Sequence, residues 1–332
     1  MTFRRHLAHR RRIAEDGMAQ GRDEPHAEVA ILMGLYHGEA FLPQQLDSLL
    51  AQDHGAWSLT ASDDSETPES AALVRAFARD HPERSVALRR GPRRGFVRNF
   101  LTLLERAPRD APYLAFADQD DRWFADKLSR AVAALSRVPA TEPALYMAAT
   151  EICDADLRVL GRSAPFARPP AFRNALVQSI GGANTMVMNR AAADLASDLA
   201  ATVPDPASHD WWLYQVVSGC GGTVLFDPVP VMSYRQHGRN LVGANISAGA
   251  RLDRLRRLLG GEFAALNARS LAAIAPVEAR FTPDARAAAA AFRDARQGPW
   301  WRRLAALRRA GVYRQGRADT AALHVACLLG RL

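Results

Sequence analysis

The chain has 332 residues, 48% of them hydrophobic, and a formal net charge of +8. It contains no apolar run of about 18 residues, so the sequence predicts no membrane-spanning helix. Its three cysteines are widely spaced, which argues against a disulfide framework or a zinc site and indicates a reducing, cytoplasmic compartment.

The positive charge is concentrated at the two ends of the chain. Residues 251–332 contain 16 arginines and 6 acidic residues, a net charge of +10, and residues 1–24 carry +2. Because the whole chain has a net charge of +8, the remaining residues, 25–250, carry a net charge of −4. Because a nucleic-acid-binding protein is expected to carry its positive charge on the folded core, we predict no nucleic-acid partner.

The same division predicts the domain organisation. Residues 1–24 are basic and polar without periodicity, which is typical of a disordered arm. Residues 25–250 are predicted to form the folded domain. Residues 251–332 are predicted to form a basic helical extension.

Within residues 25–250, short apolar runs alternate with amphipathic segments. The predicted strands are 29–35, 57–62, 86–88, 113–117, 144–150, a short strand ending at 188, 223–226 and 229–234. The predicted helices are 41–50, 67–77, 98–106, 125–135, 190–201 and one that begins after Ser208. This alternation predicts βαβ crossovers, hence an α/β fold with a mostly parallel sheet flanked by helices. Residues 161–173 are predicted to form a loop over the site.

Three carboxylates, Asp118, Asp120 and Asp121, follow the apolar run 113–117 directly. Ligands of open α/β sheets bind outside the carboxyl ends of the strands, so these side chains are expected at the mouth of a site. A divalent cation carrying phosphate oxygens would offset their mutual repulsion. The alternative is that Asp120 or Asp121 only caps the helix predicted from residue 125.

The predicted helices of residues 251–332 are basic and amphipathic. Leucines recur every three to four residues between Leu252 and Leu259, with arginines between them, and Trp300 and Trp301 precede a second such segment. Helices of this kind suit the surface of an anionic membrane. The alternative, which the sequence leaves open, is that their apolar faces pack on the main domain.

These features together resemble a family 2 glycosyltransferase with the GT-A fold, and more narrowly its bacterial rhamnosyltransferase-like members. The resemblance covers residues 29–243. Seven short motifs carry it in the family's order: the run 29–35 with Tyr36, the segment 62–65, the segment 91–96 with Asn99 and Phe100, the segment 118–123 with 126–128, the segment 181–184, the segment 209–212, and the segment 234–238 with Asn240.

The resemblance implies a donor-binding set at the strand ends. Asp63 or Asp64 would recognise the nucleotide base by accepting the imino N–H of uracil or thymine. Tyr36 and Asn99 belong to the same implied set. Asp118 is implied both as a member of this set and as a ligand of the metal.

The resemblance also implies a metal and a catalytic base. Asp118 and Asp120 match the D-x-D element, which holds a divalent metal, Mn²⁺ or Mg²⁺, on the donor's pyrophosphate. His237 matches a further residue that reaches the metal, and Arg235 one that reaches the diphosphate. Asp210 matches the base that takes the proton of the acceptor hydroxyl.

Structural alternatives exist for three of these positions. Asp210 would also stabilise the dipole at the first turn of a helix, and His237 would also serve as a buried structural histidine. Trp211 and Trp212 point about 100° apart on a helix, so one is expected in the core while the other is free to stack on a sugar.

The chain departs from the family pattern at three positions. Ser65 stands where glycine commonly follows the paired aspartates, His37 stands where asparagine often occurs, and Arg239 stands where asparagine is expected. These departures affect the expected backbone beside the base and the expected contacts on the acceptor or diphosphate side.

The resemblance implies an inverting transfer of rhamnose or a similar deoxysugar from a dTDP or UDP donor. The implied acceptor is a cell-surface polysaccharide or a lipid-linked glycan at the cytoplasmic face of the membrane. A sugar-nucleotide nucleotidyltransferase is an alternative, although such an enzyme is expected to have a glycine-rich phosphate loop where this chain has residues 36–39. A non-catalytic membrane-surface scaffold with a degenerate site is a second alternative.

Overall fold

The computed structural model describes residues 27–237 and 261–332. The predicted arm 1–24, the leucine-rich segment 252–259 and the motif residues 238–240 lie outside the described residues. Among the residues that are described, none forms a helix of the length and apolarity needed to cross a membrane.

The strands occur in the following order. They are β1 (Val29–Leu35), β2 (Trp57–Asp63), β3 (Val86–Arg90), β4 (Tyr113–Asp118), β5 (Arg122–Trp123), β6 (Ala144–Ala148), β7 (Glu151–Cys153), β8 (Val159–Arg162), β9 (Val187–Asn189), β10 (Thr223–Asp227) and β11 (Met232–Arg235).

The helices follow the strands in an α/β pattern. They are α1 (Leu42–Leu50), α2 (Glu69–Asp80), α3 (Phe96–Glu105), α4 (Lys127–Leu135), α5 (Phe172–Ala175), α6 (Arg190–Ala200), α7 (His209–Gly219), α8 (Glu262–Ile274), α9 (Pro283–Asp294), α10 (Trp300–Ala310) and α11 (Arg317–Leu328). The described residues also form two short 3₁₀ helices, Ala183–Thr185 and Ala275–Arg280.

Seven strands form the main sheet in the order β10-β6-β9-β4-β1-β2-β3. Strand β9 is antiparallel to both of its neighbours, and every other pair is parallel, as predicted. The residues of β1 alternate between the two cores: Ile31 and Met33 pack on one face of the sheet, and Ala30 and Leu32 on the other. A strand that is buried on both faces needs a continuous apolar run, which explains its sequence.

The register places the ends of four strands side by side. Leu35 pairs with Asp63, Asp63 pairs with Arg90, and Gly34 pairs with Asp118. The acidic residues predicted at strand ends therefore lie along one edge of the sheet.

A second, four-stranded sheet, β5-β11-β7-β8, lies next to this edge. It was not predicted, because its strands have only two to four residues each.

The predicted strand 229–234 begins at Met232 in the structure. Pro228 and Pro230 lack the N–H that a strand ladder requires, so the ladder starts after them. The predicted loop 161–173 is shorter in the structure, because its first two residues belong to β8, which extends to Arg162, and its last two belong to α5, which begins at Phe172.

The described part of the C-terminal extension packs on the main domain. Ile274, Phe281 and Phe292 belong to the same hydrophobic core as Trp212 of α7. The ring of Phe281 packs edge to face on Phe172 with centroids 5.1 Å apart. Of the two interpretations of residues 251–332, packing on the main domain is therefore observed for residues 261–332.

Candidate active site

The three acidic residues after β4 form one cluster. Asp118, Asp120 and Asp121 each offer a carboxylate oxygen, and these oxygens lie within 4.8 Å of one another. Helix α4 begins at Lys127 with Asp126 in the N-cap position. The alternative in which Asp120 or Asp121 caps this helix is therefore wrong: Arg122 and Trp123 of β5 lie between them and the helix.

Asp121 is the buried member of the cluster. Its Oδ2 accepts a hydrogen bond of 2.7 Å from the side-chain amide of Asn184, and its Oδ1 accepts one of 3.3 Å from the backbone N–H of Arg235. The ammonium of Lys127 donates to the backbone carbonyl of Asn184. Asp121 is fully buried and bonded to protein groups, whereas Asp118 and Asp120 are partly exposed.

The cluster is electrostatically unfavourable without a cation. Burial, with added repulsion from Asp120 and Asp210, raises the pKa of Asp118 to about 7. Burial and the same cluster raise the pKa of Asp121 as well, although the hydrogen bond from Asn184 opposes this. Oxygen ligands from partly exposed carboxylates are the donors that Mg²⁺ and Mn²⁺ prefer. These residues therefore fit a divalent cation.

His237 lies against Asp120. Its Nε2 is 2.8 Å from Asp120 Oδ2, and its ring lies over Phe41 with centroids 4.8 Å apart. The structure thus brings together the predicted metal ligands Asp118, Asp120 and His237.

Arg235 lies beside residues 118–121, here called the acidic turn, but its side chain does not make the contact that the resemblance implies. Its side chain is buried, with 2% exposure. The guanidinium donates to the backbone carbonyls of Asp120 and Ala155 and to Gln44 Oε1, and it lies over the ring of Phe41. A guanidinium enclosed in this way supports the acidic turn from behind, so the structure does not place Arg235 as a diphosphate ligand.

Asp63 and Asp64 lie at the end of β2, in the predicted donor-binding region. Asp63 Oδ1 accepts a 3.0 Å hydrogen bond from the N–H of Ser65, and Asp64 Oδ1 accepts one of 2.8 Å from the N–H of Arg93. Burial raises the pKa of Asp64, partly offset by that backbone bond. Gly91 packs so closely that an added Cβ would lie 2.1 Å from Asp64 Oδ1. The position of Asp64 therefore depends on the loop after β3.

Ser65, the residue after the paired aspartates, holds the backbone that follows β1. Its hydroxyl accepts a 2.9 Å hydrogen bond from the N–H of His37, which follows β1 and has a φ of +50°. Non-glycine residues seldom adopt a positive φ, so this bond helps to hold an unusual backbone conformation. Tyr36, the preceding residue, keeps its side chain 56% exposed, as a ligand contact requires.

Asn99 lies behind the crevice, the space outside the carboxyl ends of β1, β2 and β4, rather than in it. Its side chain is 2% exposed, donates 3.0 Å to the carbonyl of Ser62 and accepts 2.6 Å from the Ser62 hydroxyl. The predicted donor contact by Asn99 is therefore corrected to a supporting position, because its amide is used on the end of β2.

Asp210 lies in the first turn of α7, after Ser208 in the N-cap position. Asp210 Oδ1 accepts a 2.7 Å hydrogen bond from the N–H of Trp211, whereas Ser208 makes no side-chain cap bond. The charge of Asp210 contributes to the raised pKa of Asp118, so the two carboxylates lie near enough to repel one another.

The two tryptophans of α7 are both buried. Trp211 is 9% exposed, and its Nε1 donates 2.6 Å to the carbonyl of Ala175, while Trp212 is 1% exposed in the core. The expectation that one of them is free to stack on a sugar is therefore wrong. Both helix faces are covered, by α5 on one side and by the core on the other.

His209 precedes the candidate base and is enclosed by aromatic rings. Its ring stacks on Phe100 with centroids 4.4 Å apart and meets Phe116 edge to face at 5.5 Å. Burial lowers the pKa of His209 to about 4. The imidazole is therefore neutral, and the base keeps an uncharged neighbour.

Residues 30–149 match the family described as Glycosyl transferase family 2. The chain is a glycosyltransferase with a family 2 domain. The glycosyltransferase is 27% identical over 237 residues to the dTDP-rhamnosyl transferase RfbG of Shigella flexneri, a match that covers 67% of this chain and 78% of the relative. It is 26% identical over 110 residues to the putative glycosyltransferase EpsE of Bacillus subtilis, covering 33% of this chain and 39% of that protein. The resemblance to rhamnosyltransferase-like members of the family is thereby confirmed.

The fold of the glycosyltransferase is GT-A. A solved mannosyltransferase from Pyrobaculum calidifontis, in complex with GDP-Man and Mn²⁺, superposes with a TM-score of 0.51 at 17% identity. The superposition covers 92% of this chain and 86% of the mannosyltransferase.

Three residues of the site were not assigned a role from the sequence. They are Gln119, Lys127 and Asn184, and their contacts hold the acidic turn and the segments beside it. All three belong to the motifs that carry the resemblance, which was the available signal. Their partners are 57 to 63 residues apart in sequence, which spacing alone does not reveal.

Proposed function

We propose that the chain is an inverting, metal-dependent glycosyltransferase that moves rhamnose or a similar deoxysugar from a dTDP or UDP donor to a glycan. The observation that carries the proposal is the meeting of three groups at one sheet edge. The pair Asp118 and Asp120, the strand-end carboxylates Asp63 and Asp64, and the charge of Asp210 are brought together there.

Asp118, Asp120 and His237 would hold the divalent cation. When bound, a cation of this kind supplies positive charge that stabilises the departing diphosphate. Asp121, Asn184 and the backbone of Arg235 keep the turn in place behind these ligands.

Asp210 acts as the general base in this proposal. Its carboxylate accepts the proton of the acceptor hydroxyl as that oxygen attacks the anomeric carbon. The bond from the anomeric carbon to the diphosphate oxygen breaks, and the nucleoside diphosphate leaves with the electron pair. One displacement from the opposite face inverts the anomeric centre without a covalent enzyme intermediate.

The donor assignment rests on two supports. Asp63 or Asp64 offers a carboxylate to the imino N–H that uracil and thymine share. The Shigella relative carries the name of a dTDP-rhamnosyl transferase. The acceptor is proposed to be a cell-surface polysaccharide or a lipid-linked glycan, made at the cytoplasmic side of the membrane.

Peripheral contact with an anionic membrane is proposed for the C-terminal helices. Trp300 and Trp301 at the start of α10 are 54% and 57% exposed, and Arg303 donates 2.7 Å to the carbonyl of Leu328 at the end of α11. Val325, Leu328 and Leu329 are also exposed at that end. Asp319 is the only acidic residue in the sequence 295–332, so arginines dominate around this apolar patch.

The domain organisation is part of the proposal. We propose that residues 25–250 contain the catalytic residues and that residues 251–332 act as an extension, whose described part shares a hydrophobic core with the main domain. Residues 1–24 are proposed to be an arm outside this unit.

The test is thermal unfolding with a panel of nucleoside diphosphates, with and without Mn²⁺ or Mg²⁺. A ligand at about 100 times its Kd adds about 2.7 kcal/mol to the free energy of unfolding. We expect metal-dependent stabilisation by dTDP or UDP that is lost in Asp118→Ala/Asp120→Ala and kept in Asp156→Ala, an exposed surface control. No response to any nucleotide would contradict the proposal and favour a degenerate site.

A product assay distinguishes the proposed glycosyltransferase from the alternative, a nucleotidyltransferase. A glycosyltransferase releases nucleoside diphosphate from a nucleotide sugar when acceptor is added. A nucleotidyltransferase instead consumes nucleoside triphosphate and a sugar phosphate and releases pyrophosphate. Pyrophosphate release from such a mixture would overturn the proposed reaction.

A further inference from the structure

The side chain of Gln119 bridges the ends of β1 and β4. Its Nε2 donates 2.8 Å to the backbone carbonyl of Tyr36, and its Oε1 accepts 2.8 Å from the backbone N–H of the same residue. The backbone pairing of the two strands ends at Gly34 and Asp118. The amide of Gln119 therefore extends this pairing beyond the last strand residues.

Gly38 fits closely against the same amide. A Cβ added at Gly38 would lie 2.2 Å from Gln119 Oε1 and 2.6 Å from its Cδ. Separations below 3.0 Å do not occur between such atoms, so any larger residue at this position would displace the Gln119 side chain. Gly38 thus leaves the space in which the amide of Gln119 lies.

The segment 36–38, here called the β1 turn, is also tied to its other neighbours. His37 N–H donates to Ser65 Oγ at 2.9 Å, and Gly38 N–H donates to Ser70 Oγ at 3.0 Å. Every backbone N–H of the β1 turn is therefore bonded to a side chain. Gln119 is the one of these side chains that belongs to the acidic turn.

We propose that Gln119 is a positioning residue that sets the β1 turn, and with it Tyr36, for binding the nucleotide of the donor. Gln119 lies between Asp118 and Asp120, so the residues proposed to hold the cation and the residue proposed to contact the nucleotide are fixed to one another by one side chain. This inference deepens the proposed function and rests on it.

The physical reason is preorganisation. Without Gln119, the peptide of Tyr36 loses both hydrogen bonds, and ligand binding must order the turn again. Two hydrogen bonds with a net value of about 1 kcal/mol each correspond to at least about tenfold in affinity. We expect the loss in donor binding, because the turn that Gln119 orders carries Tyr36, which belongs to the donor-binding set.

The first experiment compares the full-length wild type with Gln119→Ala and Gln119→Asn, which keeps the amide but is one methylene shorter. We expect at least about tenfold weaker binding of UDP or dTDP by calorimetry in both variants. In turnover we expect a raised donor KM and an unchanged acceptor KM. A merely structural role would lower stability without this separation of the two KM values.

The second experiment uses Gly38→Ala, which displaces Gln119 from the other side. If Gly38→Ala acts through Gln119, its effect on nucleotide affinity disappears in the Gln119→Ala background, which a double-mutant cycle detects. Hydrogen exchange of the Tyr36 amide gives a reading that needs no ligand, and we expect faster exchange in Gln119→Ala.

The failures of the two proposals are distinguishable. A wild type that binds no nucleotide overturns the proposed function, and the inference with it. A wild type that binds nucleotide, together with a Gln119→Ala variant of equal affinity and unchanged Tyr36 exchange, overturns the inference alone.

Discussion

The ammonium of Lys127 donates to the backbone carbonyl of Asn184, and the side-chain amide of Asn184 donates 2.7 Å to Asp121. Lys127 is fully buried, and its ammonium lies 3.4 Å from the ring centroid of Trp123. Lysines and arginines together number 43, and Lys127 is the only lysine among them. Two buried cations therefore lie beside the acidic turn, and Lys127 differs from Arg235 in having a compact ammonium rather than a planar guanidinium.

Removing this cation should destabilise the fold. Burial lowers the pKa of Lys127, while the charges of Asp121 and Asp118 oppose that shift. Lys127→Met removes a positive charge that acts on the buried Asp121, and loss of one member of a buried charge pair commonly costs about 3–5 kcal/mol. We expect a loss of this size in urea unfolding with EDTA present.

The matched background is Asp121→Asn. Lys127→Met should cost less there than in the wild type, because the uncompensated carboxylate is gone. Lys127→Arg should also destabilise, since the larger guanidinium has no space at a site with no exposure. Equal costs of Lys127→Met in both backgrounds would show that the two side chains are not coupled.

Replacing the candidate base should separate chemistry from binding. Asp210→Asn removes the proton acceptor but keeps the oxygen that the Trp211 N–H uses. We expect kcat to fall by about 10²–10⁴ with little change in donor affinity. Asp205→Asn, at an exposed ion pair with Arg269 on the loop before α7, is the control and should keep activity. Full activity of Asp210→Asn would exclude the base role.

His209 should make stability depend on pH. Its folded pKa of about 4 lies below the ordinary 6.5, so the unfolded chain binds more protons between these values. Stability is therefore complete above about pH 6.5 and is lost as the pH falls toward 4, by at most about 3 kcal/mol from this group.

The measurement is the free energy of unfolding at pH 7.5 and at pH 4.5, for wild type and His209→Phe. Phenylalanine keeps the stack on Phe100 but has no proton to bind, so the variant should lose less stability at the lower pH. Identical pH dependence in the two proteins would show that His209 does not stay neutral in the fold.

The exposed tryptophans of α10 should control vesicle binding. Trp300→Ala/Trp301→Ala removes the two largest exposed apolar side chains of the patch, and we expect at least about tenfold weaker binding to anionic lipid vesicles. Val159→Ala/Leu160→Ala, at two equally exposed apolar positions of β8, is the matched control. Sedimentation at low and high salt measures both, and loss of binding in the control alone would place the contact elsewhere.

Local periodicity was enough to predict the main sheet. Strands β1 and β4 are continuous apolar runs, and in a parallel sheet their carboxyl ends meet at one edge, so Asp63, Asp64 and Asp118 could be placed together. The second sheet could not be predicted in the same way. Its strands are short, and β11 pairs with β5 and β7 over more than 80 residues of sequence.

The roles of single residues were harder to predict than their location. Arg235 and Asn99 lie where the motifs place them, but both are buried and bonded to backbone groups behind the crevice. A motif indicates that a residue is near the site. Only the contacts of its side chain show whether it faces the ligand or holds another residue.

The single buried lysine also has a chemical consequence. Acylating reagents attack unprotonated side-chain amines that are accessible to them. The only side-chain amine of this chain, that of Lys127, is buried against Trp123 and Asn184. The folded protein should therefore resist acylation at Lys127 until α4 and the strand end before it separate. The rate of modification at this one position would then report how often the acidic turn opens.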